Sequence, residues 1–487
     1  MIEVTIDGVV VSVEENATIL DAAAKAGIRI PTLCYLENQS IKANCRICLV
    51  EVKGSRLPQP ACATRVSPGM EVVTNSPAIM EARRENLRLI LSHHPIDCQS
   101  CVRLGNSQQK DLSNEMCEMC FYCDCVRDGD CELQRLADEY DVNGLVYRWE
   151  EKDRTWDVST ASIVKDPGKC ILCRRCVSAC GEVQGIHVWS IAQRGCRAEV
   201  TPVGGGLLAD SPCVECGECV RSCPVGALFE RQDLDSLPEM GHDKNRTVLA
   251  RIDRHFLEPY LRLAGLDSAQ YTTEHLSAGL CRVGVDKVVG NADADQMVNE
   301  ALLQELDRHL SGEGKLPLIS ATCPASVRYL ESRYASLKGY MSTVPSAQEY
   351  FGRWAHEQYG KRAYAVSLTS CSAKKREAAG SDSVDLVMSP RETDRLFRRS
   401  GAELSRLKPM PVDHQETAGA SAQEPGIQVR EVVRNGKTIR IALACGLRAV
   451  NEVLAQVKDG TSPYAYIQLA ACPGGCNSAG PLPFETM

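Results

Sequence analysis

The feature of this sequence that most constrains its fold is a pair of cysteine runs with the same spacing. Each run reads C-x2-C-x2-C-x3-C, and the second is followed by Pro224. The cysteines of the runs are Cys170, Cys173, Cys176 and Cys180, then Cys213, Cys216, Cys219 and Cys223. Thiolates are soft ligands that suit iron–sulfur clusters, and four of them complete one cluster. This part of the chain is therefore predicted to fold around two such clusters.

The two runs match the pattern of bacterial two-cluster ferredoxins, to which this segment is similar. In that pattern the fourth cysteine of each run ligates the cluster held by the other run. The resemblance implies a first 4Fe–4S cluster, here called cluster one, on Cys170, Cys173, Cys176 and Cys223. It implies a second, cluster two, on Cys213, Cys216, Cys219 and Cys180. Cys196 lies between the runs, matches neither and is interpreted as a packed thiol.

Cysteine usage along the rest of the chain favours metal sites over disulfides. The 487 residues contain 26 cysteines, which come in tight groups, and the net charge is −8. Met1 leads directly into a strand-like segment with no signal-peptide pattern, and no apolar run is long enough to cross a bilayer. We therefore expect a cytoplasmic protein whose cysteines bind metal, with neither nucleic acid nor membrane as a partner.

The N-terminal segment predicts a small α+β module. Residues 2–6 and 9–13 alternate around an Asp7-Gly8 turn, which indicates a hairpin, and Thr18 with Asp21 forms a capping signature that begins a helix. The segment resembles the N-terminal module of the large complex I subunit and of iron-only hydrogenases. That resemblance implies a 2Fe–2S cluster on Cys34, Cys45, Cys48 and Cys62. The alternative is a zinc ribbon, because C-x2-C alone is common to both.

The same families have a second module in which one histidine and three cysteines hold a 4Fe–4S cluster. His94-x3-Cys98-x2-Cys101 matches this module, and the alternative role of His94 is to cap the preceding helix. The family's closing motif, C-x5-C-E-L-Q, begins here only at Cys125 and reaches its second cysteine at Cys131. Comparison of CVRLGNSQQ at 101–109 with CVRDGDCEL at 125–133 indicates a partial duplication.

The duplicated stretch offers enough ligands for two 4Fe–4S clusters. Its candidate ligands are His94, Cys98, Cys101, Cys117, Cys120, Cys123, Cys125 and Cys131. The alternative is a single cluster with an inserted loop whose thiols bind zinc or nothing. That single cluster would use His94, Cys98, Cys101 and Cys131. Spacing alone does not assign the cysteines to one site or the other.

From about residue 245 the chain has ordinary α/β sequence in which three strand-like segments end at a cysteine. The segments are 316–320 before Cys323, 363–368 before Cys371 and 465–469 before Cys472. This region resembles the catalytic domain of iron-only hydrogenases through the motifs ATCPASVRYLE, TSCSAKKREA and AACPGGCNSAG. In that family four cysteines hold a 4Fe–4S cluster that is bridged to a diiron centre. The resemblance implies that the cluster is held here by Cys323, Cys371, Cys472 and Cys476.

Departures from the hydrogenase pattern predict that the diiron centre is absent. Thr322 stands where the family has its proton-donor cysteine, and a hydroxyl that does not titrate near neutral pH is a poor general acid. The methionines that the family places near its second and third motifs are missing, and the interval between those motifs is short. Lys374 matches the residue that binds a diiron cyanide and is interpreted here as a surface charge. Cys281 and Cys445 match no ligand motif and are interpreted as buried structural thiols.

These features predict a modular α+β fold. The expected domains are a β-grasp 2Fe–2S ferredoxin at 1–76 and a His/Cys-ligated 4Fe–4S module with a cysteine-rich insertion at 77–156. A two-cluster ferredoxin domain follows at 157–238, and a truncated hydrogenase-like α/β domain without the diiron site occupies 239–487. Residues 411–427 are polar and rich in small residues, which predicts a flexible linker.

The functional hypothesis is an iron–sulfur electron-transfer subunit with one 2Fe–2S cluster and four to five 4Fe–4S clusters. The sequence contains neither G-x-G-x-x-G after a strand nor a Walker motif, so FMN and NAD(P) are expected on partner subunits. The chain resembles the hydrogenase-like subunit of electron-bifurcating NAD(P)H-linked complexes, in particular bifurcating transhydrogenases. The resemblance implies three partners: a flavin- and NAD(P)-binding subunit like the complex I flavoprotein, a small 2Fe–2S thioredoxin-like subunit and soluble ferredoxin. No residue is assigned a catalytic role.

Two alternative functions are open at the level of the sequence. One is the catalytic subunit of a bifurcating iron-only hydrogenase with an atypical active site. The other is a non-catalytic iron–sulfur assembly or sensing protein. The two N-terminal ferredoxin-type modules argue against the latter, because such proteins need no long chain of clusters.

Overall fold

The computed structural model of the chain describes residues 1–94, 125–127, 130–142, 147, 155–233, 237, 243, 245–290, 292–413 and 425–475. Most of the predicted linker at 411–427 lies outside these residues. So do six of the predicted ligands, namely Cys98, Cys101, Cys117, Cys120, Cys123 and Cys476. Within the described ranges, no helix combines the length and the apolar character needed to cross a lipid bilayer.

The N-terminal part is a five-stranded sheet with helix α1 (Ile19–Lys25) packed against it. Its strands, in the order β2-β1-β5-β3-β4, are β1 (Ile2–Ile6), β2 (Val9–Val13), β3 (Leu49–Val52), β4 (Gln59–Pro60) and β5 (Glu71–Val73). The predicted hairpin is confirmed, since β1 and β2 are antiparallel and the turn residues Asp7 and Gly8 both have positive φ. The predicted capping box between Thr18 and Asp21 is also present at the start of α1.

Two further helices connect this sheet to the cysteine-rich segments. Helix α2 (Pro77–Leu91) ends shortly before His94, and α3 (Glu132–Glu139) begins after Cys131. Arg83 of α2 is fully buried and donates hydrogen bonds to the Tyr140 hydroxyl and to backbone carbonyls of the sheet region. The N-terminal sheet is thereby fixed to the end of α3.

The segment with the paired cysteine runs is built from short elements. They are β6 (Ile163–Lys165), α4 (Arg175–Ser178), β7 (Trp189–Ala192), β8 (Glu199–Pro202), α5 (Glu218–Ser222) and β9 (Leu228–Glu230). Strand β6 pairs with β9 and β7 with β8, both antiparallel. Because Lys165 pairs with Leu228, the chain enters the first run and leaves the second at the same end of the β6–β9 ribbon.

Two four-stranded sheets form the C-terminal part. The first is fully parallel and contains, in the order β11-β10-β13-β14, the strands β10 (Thr247–Ile252), β11 (Lys287–Val289), β13 (Ala363–Leu368) and β14 (Leu386–Met388). The second has the order β12-β17-β16-β15 and contains β12 (Leu318–Ile319), β15 (Gly426–Arg434), β16 (Lys437–Cys445) and β17 (Tyr466–Ala470). The predicted strands ahead of Cys323, Cys371 and Cys472 are therefore confirmed as β12, β13 and β17.

Helices of the C-terminal part pack against these sheets and contribute to their cores. They are α6 (Leu257–Ala264), α7 (Thr273–Arg282), α8 (Ala292–Arg308), α9 (Pro324–Arg333), α10 (Ala347–Tyr359), α11 (Ala373–Ala379), α12 (Pro390–Ser400) and α13 (Leu447–Lys458). One continuous hydrophobic core joins the N-terminal part, the ferredoxin segment and the second C-terminal sheet, with buried residues such as Ile47, Leu133, Trp189 and Val450. Described cysteines from each predicted site, such as Cys45, Cys131 and Cys323, lie in this core or pack against it.

Candidate iron–sulfur sites

The four N-terminal cysteines come together as two pairs. The Cys48 and Cys62 sulfurs are 3.4 Å apart, and the Cys34 thiol is hydrogen-bonded to the Cys45 thiol. The hydrogen bond from Cys45 lowers the pKa of Cys34 to about 6, against the opposing effect of burial. In a 2Fe–2S cluster each iron takes two thiolates, so neighbouring thiol pairs suit this cluster. The thiols of Cys48, Cys34 and Cys45 all raise the pKa of Cys62, so the four thiols lie close together and also fit the four-cysteine zinc site of the alternative.

His94 is buried against the ferredoxin segment. Its Nδ1 lies 3.1 Å from the Lys169 carbonyl oxygen, and because a carbonyl only accepts, Nδ1 carries the proton. Burial lowers the pKa of His94 to about 4, so the ring is neutral near pH 7 and Nε2 keeps its lone pair. A neutral ring whose Nδ1–H is held by a backbone carbonyl is typical of a metal-ligating histidine. The carbonyl belongs to the residue before Cys170, so this contact does not cap the helix that precedes His94.

Replacing His94 with cysteine is expected to keep the cluster and lower its reduction potential. An anionic thiolate would take the place of a neutral imidazole, and added negative charge disfavours the reduced cluster. EPR-monitored redox titration of the anaerobically purified protein measures the shift. His93→Cys is the matched control, because His93 is exposed and adjacent. An unchanged potential in His94→Cys, or an equal shift in the control, would contradict the role of His94.

The described part of the duplicated stretch contains two of its cysteines. Cys131 is buried at the N-terminus of α3, with its sulfur 3.6 Å from the Pro224 carbonyl oxygen, and Cys125 is half-buried. The other cysteines of the stretch lie outside the described residues. The choice between one cluster and two in this stretch stays a prediction.

Three cysteines of the first run and the last cysteine of the second line one cavity. The lining thiols are Cys170, Cys173, Cys176 and Cys223, and the walls include the apolar side chains of Ile171, Val200, Val225 and Leu228. Burial raises the pKa of Cys173, with a further contribution from the Cys223 thiol. The donors that the resemblance implied for cluster one thus surround a single cavity, and four thiols so placed fit a 4Fe–4S cluster.

The reciprocal set of thiols forms a second group. Burial raises the pKa of Cys219, and the neighbouring thiols of Cys213 and Cys180 raise it further. The Val188 backbone N–H donates to Cys180 Sγ at 3.2 Å, and the Glu215 N–H donates to Cys213 Sγ at 3.3 Å. Such N–H donors stabilise negative charge on sulfur, as an anionic cluster requires. These thiols therefore fit cluster two.

The two cysteine loops share an unusual backbone conformation. Leu172 and Arg174 have φ values of 54° and 64°, and the equivalent Glu215 and Gly217 have 57° and 82°. Left-handed conformations cost free energy in non-glycine residues, so their repetition at matching positions indicates that the loops require them. Backbone turned in this way can form concave sites for iron–sulfur clusters.

Cysteines at the carboxyl ends of parallel strands meet in the C-terminal part. Cys323 immediately precedes α9, and its sulfur accepts hydrogen bonds from the Ser326 hydroxyl at 3.4 Å and the Ala471 N–H at 3.5 Å. Burial, together with the Cys323 thiol, raises the pKa of Cys371 to about 12. Cys472 follows Ala471 directly and is buried. Three of the four predicted ligands are thus neighbours, as a shared cluster requires.

A further thiol lies beside this site, and sequence reasoning did not place it there. Cys445 ends β16 opposite Ala470 of β17 and is 2% exposed, which confirms that it is buried. Burial raises its pKa, and the Cys323 thiol raises it further. The available signal was its position at the end of a strand-like segment before Gly446, a pattern that resembles the strand ends before Cys323 and Cys371.

Three predictions about individual side chains are wrong. Cys196 is exposed, because it lies in the short turn Gly195–Arg197 between β7 and β8. Cys281 is only half-buried on α7. Lys374 is not a surface charge: its side chain is 13% exposed and its Nζ lies 2.9 Å from Glu377. Burial opposes the charge of Lys374, but the Glu377 carboxylate more than compensates and raises its pKa.

Glu215 connects the cluster-two loop to the C-terminal site and was missed in the sequence. Its side chain is fully buried, and Oε1 accepts from Arg328 at 2.8 Å and from Arg376 at 2.9 Å. Its Oε2 accepts the Ser162 N–H at 3.1 Å. Arg328 belongs to α9, which follows Cys323, and Arg376 belongs to α11, which follows Cys371. The two arginines are more than a hundred residues away along the chain, so no local pattern indicated them.

Family models match three parts of the chain. The model described as "Iron only hydrogenase large subunit, C-terminal domain" matches residues 260–429 and 415–480. A "2Fe-2S iron-sulfur cluster binding domain" matches residues 1–77, and a "4Fe-4S binding domain" matches residues 210–229. These matches cover the N-terminal sheet, the second cysteine run and most of the C-terminal part.

Curated relatives match over the whole chain or over its N-terminal half. The NADP-reducing hydrogenase subunit HndD of Solidesulfovibrio fructosivorans is 32% identical over 100% of this chain and 89% of its own length. Iron hydrogenase 1 of Clostridium pasteurianum is 25% identical over 99% of this chain and 88% of its own length. The NADH-ubiquinone oxidoreductase 75 kDa subunit of Reclinomonas americana is 34% identical, over 47% of this chain and 30% of its own length.

Solved structures give weaker likenesses. An apo [FeFe]-hydrogenase from Chlamydomonas reinhardtii is 20% identical, with a TM-score of 0.45 over 53% of this chain and 86% of its own. An NAD+-reducing [NiFe]-hydrogenase in the H2-reduced state is 28% identical, with a TM-score of 0.40 over 48% of this chain and 88% of its own.

Proposed function

The chain belongs to the iron-only hydrogenase family, and from that membership we propose that it is the iron–sulfur electron-transfer subunit of a multisubunit, flavin-dependent NAD(P)H:ferredoxin oxidoreductase that bifurcates electrons. The observation that carries the proposal is the cavity lined by Cys170, Cys173, Cys176 and Cys223, since thiols from both runs meet there. The thiols of the N-terminal site, of cluster two and of the C-terminal site would extend this site into a series of clusters. A series of clusters within one core is what electron transfer over a long distance needs.

The proposed cofactors are one 2Fe–2S cluster and four to five 4Fe–4S clusters, with FMN and NAD(P) on partner subunits. The proposed modules are 1–76, 77–156, 157–238 and 239–487. Each cluster would supply one-electron chemistry when bound. The side chains of the chain would hold the clusters and bury them away from water, and backbone N–H groups donate to the predicted cysteine ligands, as the Val188 N–H does to Cys180 Sγ at 3.2 Å.

The C-terminal site is proposed to hold its 4Fe–4S cluster and no diiron centre. Thr322 precedes Cys323 in the position of the family's proton donor, and its hydroxyl does not ionise near neutral pH, so it is a poor general acid. Without such an acid the chain would pass electrons and activate no hydrogen. The proposed partners are a flavin- and NAD(P)-binding subunit, a small 2Fe–2S thioredoxin-like subunit and soluble ferredoxin, all in the cytoplasm.

One observation favours a second candidate, the catalytic subunit of a bifurcating hydrogenase. Lys374, which matches the family residue that binds a diiron cyanide, is held near Cys371 by its ion pair with Glu377. A side chain in that place could still serve a diiron centre. Infrared bands of CO and cyanide after anaerobic maturation would establish this candidate, and their absence would exclude it.

Anaerobic purification with iron counting and EPR tests the proposal directly. We expect iron for five or six clusters, EPR signals from 2Fe–2S and 4Fe–4S centres, and copurification with a flavoprotein. The complex should reduce ferredoxin with NAD(P)H and show no hydrogen uptake. Iron for only one or two clusters would refute the chain of clusters, and hydrogen-dependent activity would favour the second candidate.

A further inference from the structure

Gln184 lies between the predicted cluster two and the C-terminal site. It follows the short helical turn Ala179–Val183, four residues after Cys180, and its side chain is 2% exposed. A primary amide has two N–H donors and a carbonyl acceptor, and when it is buried these groups need partners. The identity of its partners therefore indicates what the residue does.

The amide of Gln184 contacts both sites. Its Nε2 lies 3.7 Å from the sulfur of Cys216 and donates a hydrogen bond of 2.9 Å to the carbonyl oxygen of Ala471. Its Oε1 accepts the backbone N–H of Leu447 at 3.1 Å. The amide has two N–H groups, so one can contact a predicted ligand of cluster two while the other contacts the loop that carries Cys472.

The backbone of Ala471 extends the connection from Gln184 to the C-terminal site. Its N–H donates to the sulfur of Cys323 at 3.5 Å, and its carbonyl is in the peptide bond to Cys472. Two hydrogen bonds and one peptide bond therefore lead from Cys216 through Gln184 to the backbone of Cys472. Packing alone would explain the bonds to Leu447 and Ala471, whereas the contact with the Cys216 sulfur indicates a role at the cluster.

We propose that Gln184 is a positioning residue that couples cluster two to the C-terminal cluster, by donating to Cys216 and holding the loop of Ala471 and Cys472 directly after β17. This inference rests on the cluster assignments of the proposed function. The Nε2–H raises the reduction potential of cluster two, because a donor to sulfur stabilises the extra negative charge of the reduced state. The hydrogen bond to the Ala471 carbonyl places the same amide on a bonded route to Cys472.

The test compares two substitutions of Gln184 by EPR-monitored redox titration of the holoprotein. Gln184→Leu removes every polar contact without adding a charge. Gln184→Glu keeps the shape and the acceptor for the Leu447 N–H but loses the donors to Cys216 and to the Ala471 carbonyl. In both we expect the ratio of reduced to oxidised cluster two at a fixed potential to fall about tenfold, as the loss of a hydrogen bond worth about 1.4 kcal/mol would produce. For one electron that is a shift of about 59 mV to lower potential.

Gln348→Leu is the matched control. Gln348 is also fully buried, and its Nε2 donates to the Lys374 carbonyl and to Glu377 Oε2, both at 3.0 Å, with neither contact to sulfur. In Gln348→Leu we expect the reduction potential of cluster two to equal that of the unsubstituted protein. In all variants the reduction potential of the 2Fe–2S cluster should also be unchanged. The reduction potential of the C-terminal cluster should change only in the Gln184 variants.

Two results would overturn the coupling role of Gln184. One is an unchanged cluster-two potential in Gln184→Glu with full iron content, which decides the question even if Gln184→Leu loses iron. The other is an equal shift in Gln348→Leu, which would show a general response to a lost buried amide. A failure of the proposed function is distinguishable from both, because the unsubstituted protein would then lack the iron and the EPR signals of these clusters.

Discussion

Replacing Cys223 with alanine is expected to abolish cluster one, although Cys223 belongs to the second cysteine run. Its thiol lines the same cavity as those of Cys170, Cys173 and Cys176, so its removal leaves cluster one with three thiolate ligands. Cluster two keeps its own thiols. We expect a loss of about four iron atoms per chain and of one 4Fe–4S EPR signal.

Cys180→Ala is the reciprocal variant and should remove the other signal of the pair. Cys196→Ser is the control, because Cys196 is exposed in the turn between β7 and β8 and should cost no iron. Iron analysis and EPR of the three anaerobically purified variants give the answer. If Cys223→Ala and Cys180→Ala removed the same signal, or if each removed the cluster of its own run, the crossed arrangement would be wrong.

Replacing Glu215 with glutamine is expected to destabilise the packing of the ferredoxin segment against the C-terminal part. The carboxylate is fully buried, whereas the side chains of Arg328 and Arg376 are 20% and 43% exposed. Water can therefore solvate the two arginines in part when the carboxylate is removed. We expect the free energy of unfolding to fall by roughly 2–3 kcal/mol, which is less than the usual cost of breaking a fully buried ion pair. Because the unfolding entropy is about 2.1 cal/mol/K per residue, the apparent Tm should fall by about 2–3 °C if all 487 residues unfold as one unit.

Thermal unfolding of the holoprotein, followed by circular dichroism under anaerobic conditions, measures this change. Glu403→Gln is the matched control, since its ion pair with Arg406 has side chains 55% and 78% exposed. Exposed pairs of this kind contribute about 0–1 kcal/mol, so the control should leave Tm nearly unchanged. Equal Tm values for Glu215→Gln and the unsubstituted protein would show that the Glu215 contacts do not hold the two parts together.

Local patterns predicted the parts of this fold whose cause is local. The Asp7-Gly8 turn, the Thr18–Asp21 capping box and the strands before Cys323 and Cys371 depend on residues a few positions apart, and all are present. The burial of single side chains was less predictable. Cys196 and Lys374 were both misplaced, because exposure depends on which distant elements cover a position.

The sequence by itself determined the chemistry of this protein and much of its ligand geometry. A cluster loop is short, so the spacing from Cys213 to Cys219 already limits how the chain can wrap a metal centre. Only the tertiary structure decided how the sites are connected. Gln184 meets Ala471 across 287 residues, and Glu215 meets Arg376 across 161. Contacts at such separations result from the packing of a shared core, and no local spacing encodes which buried polar group faces which partner.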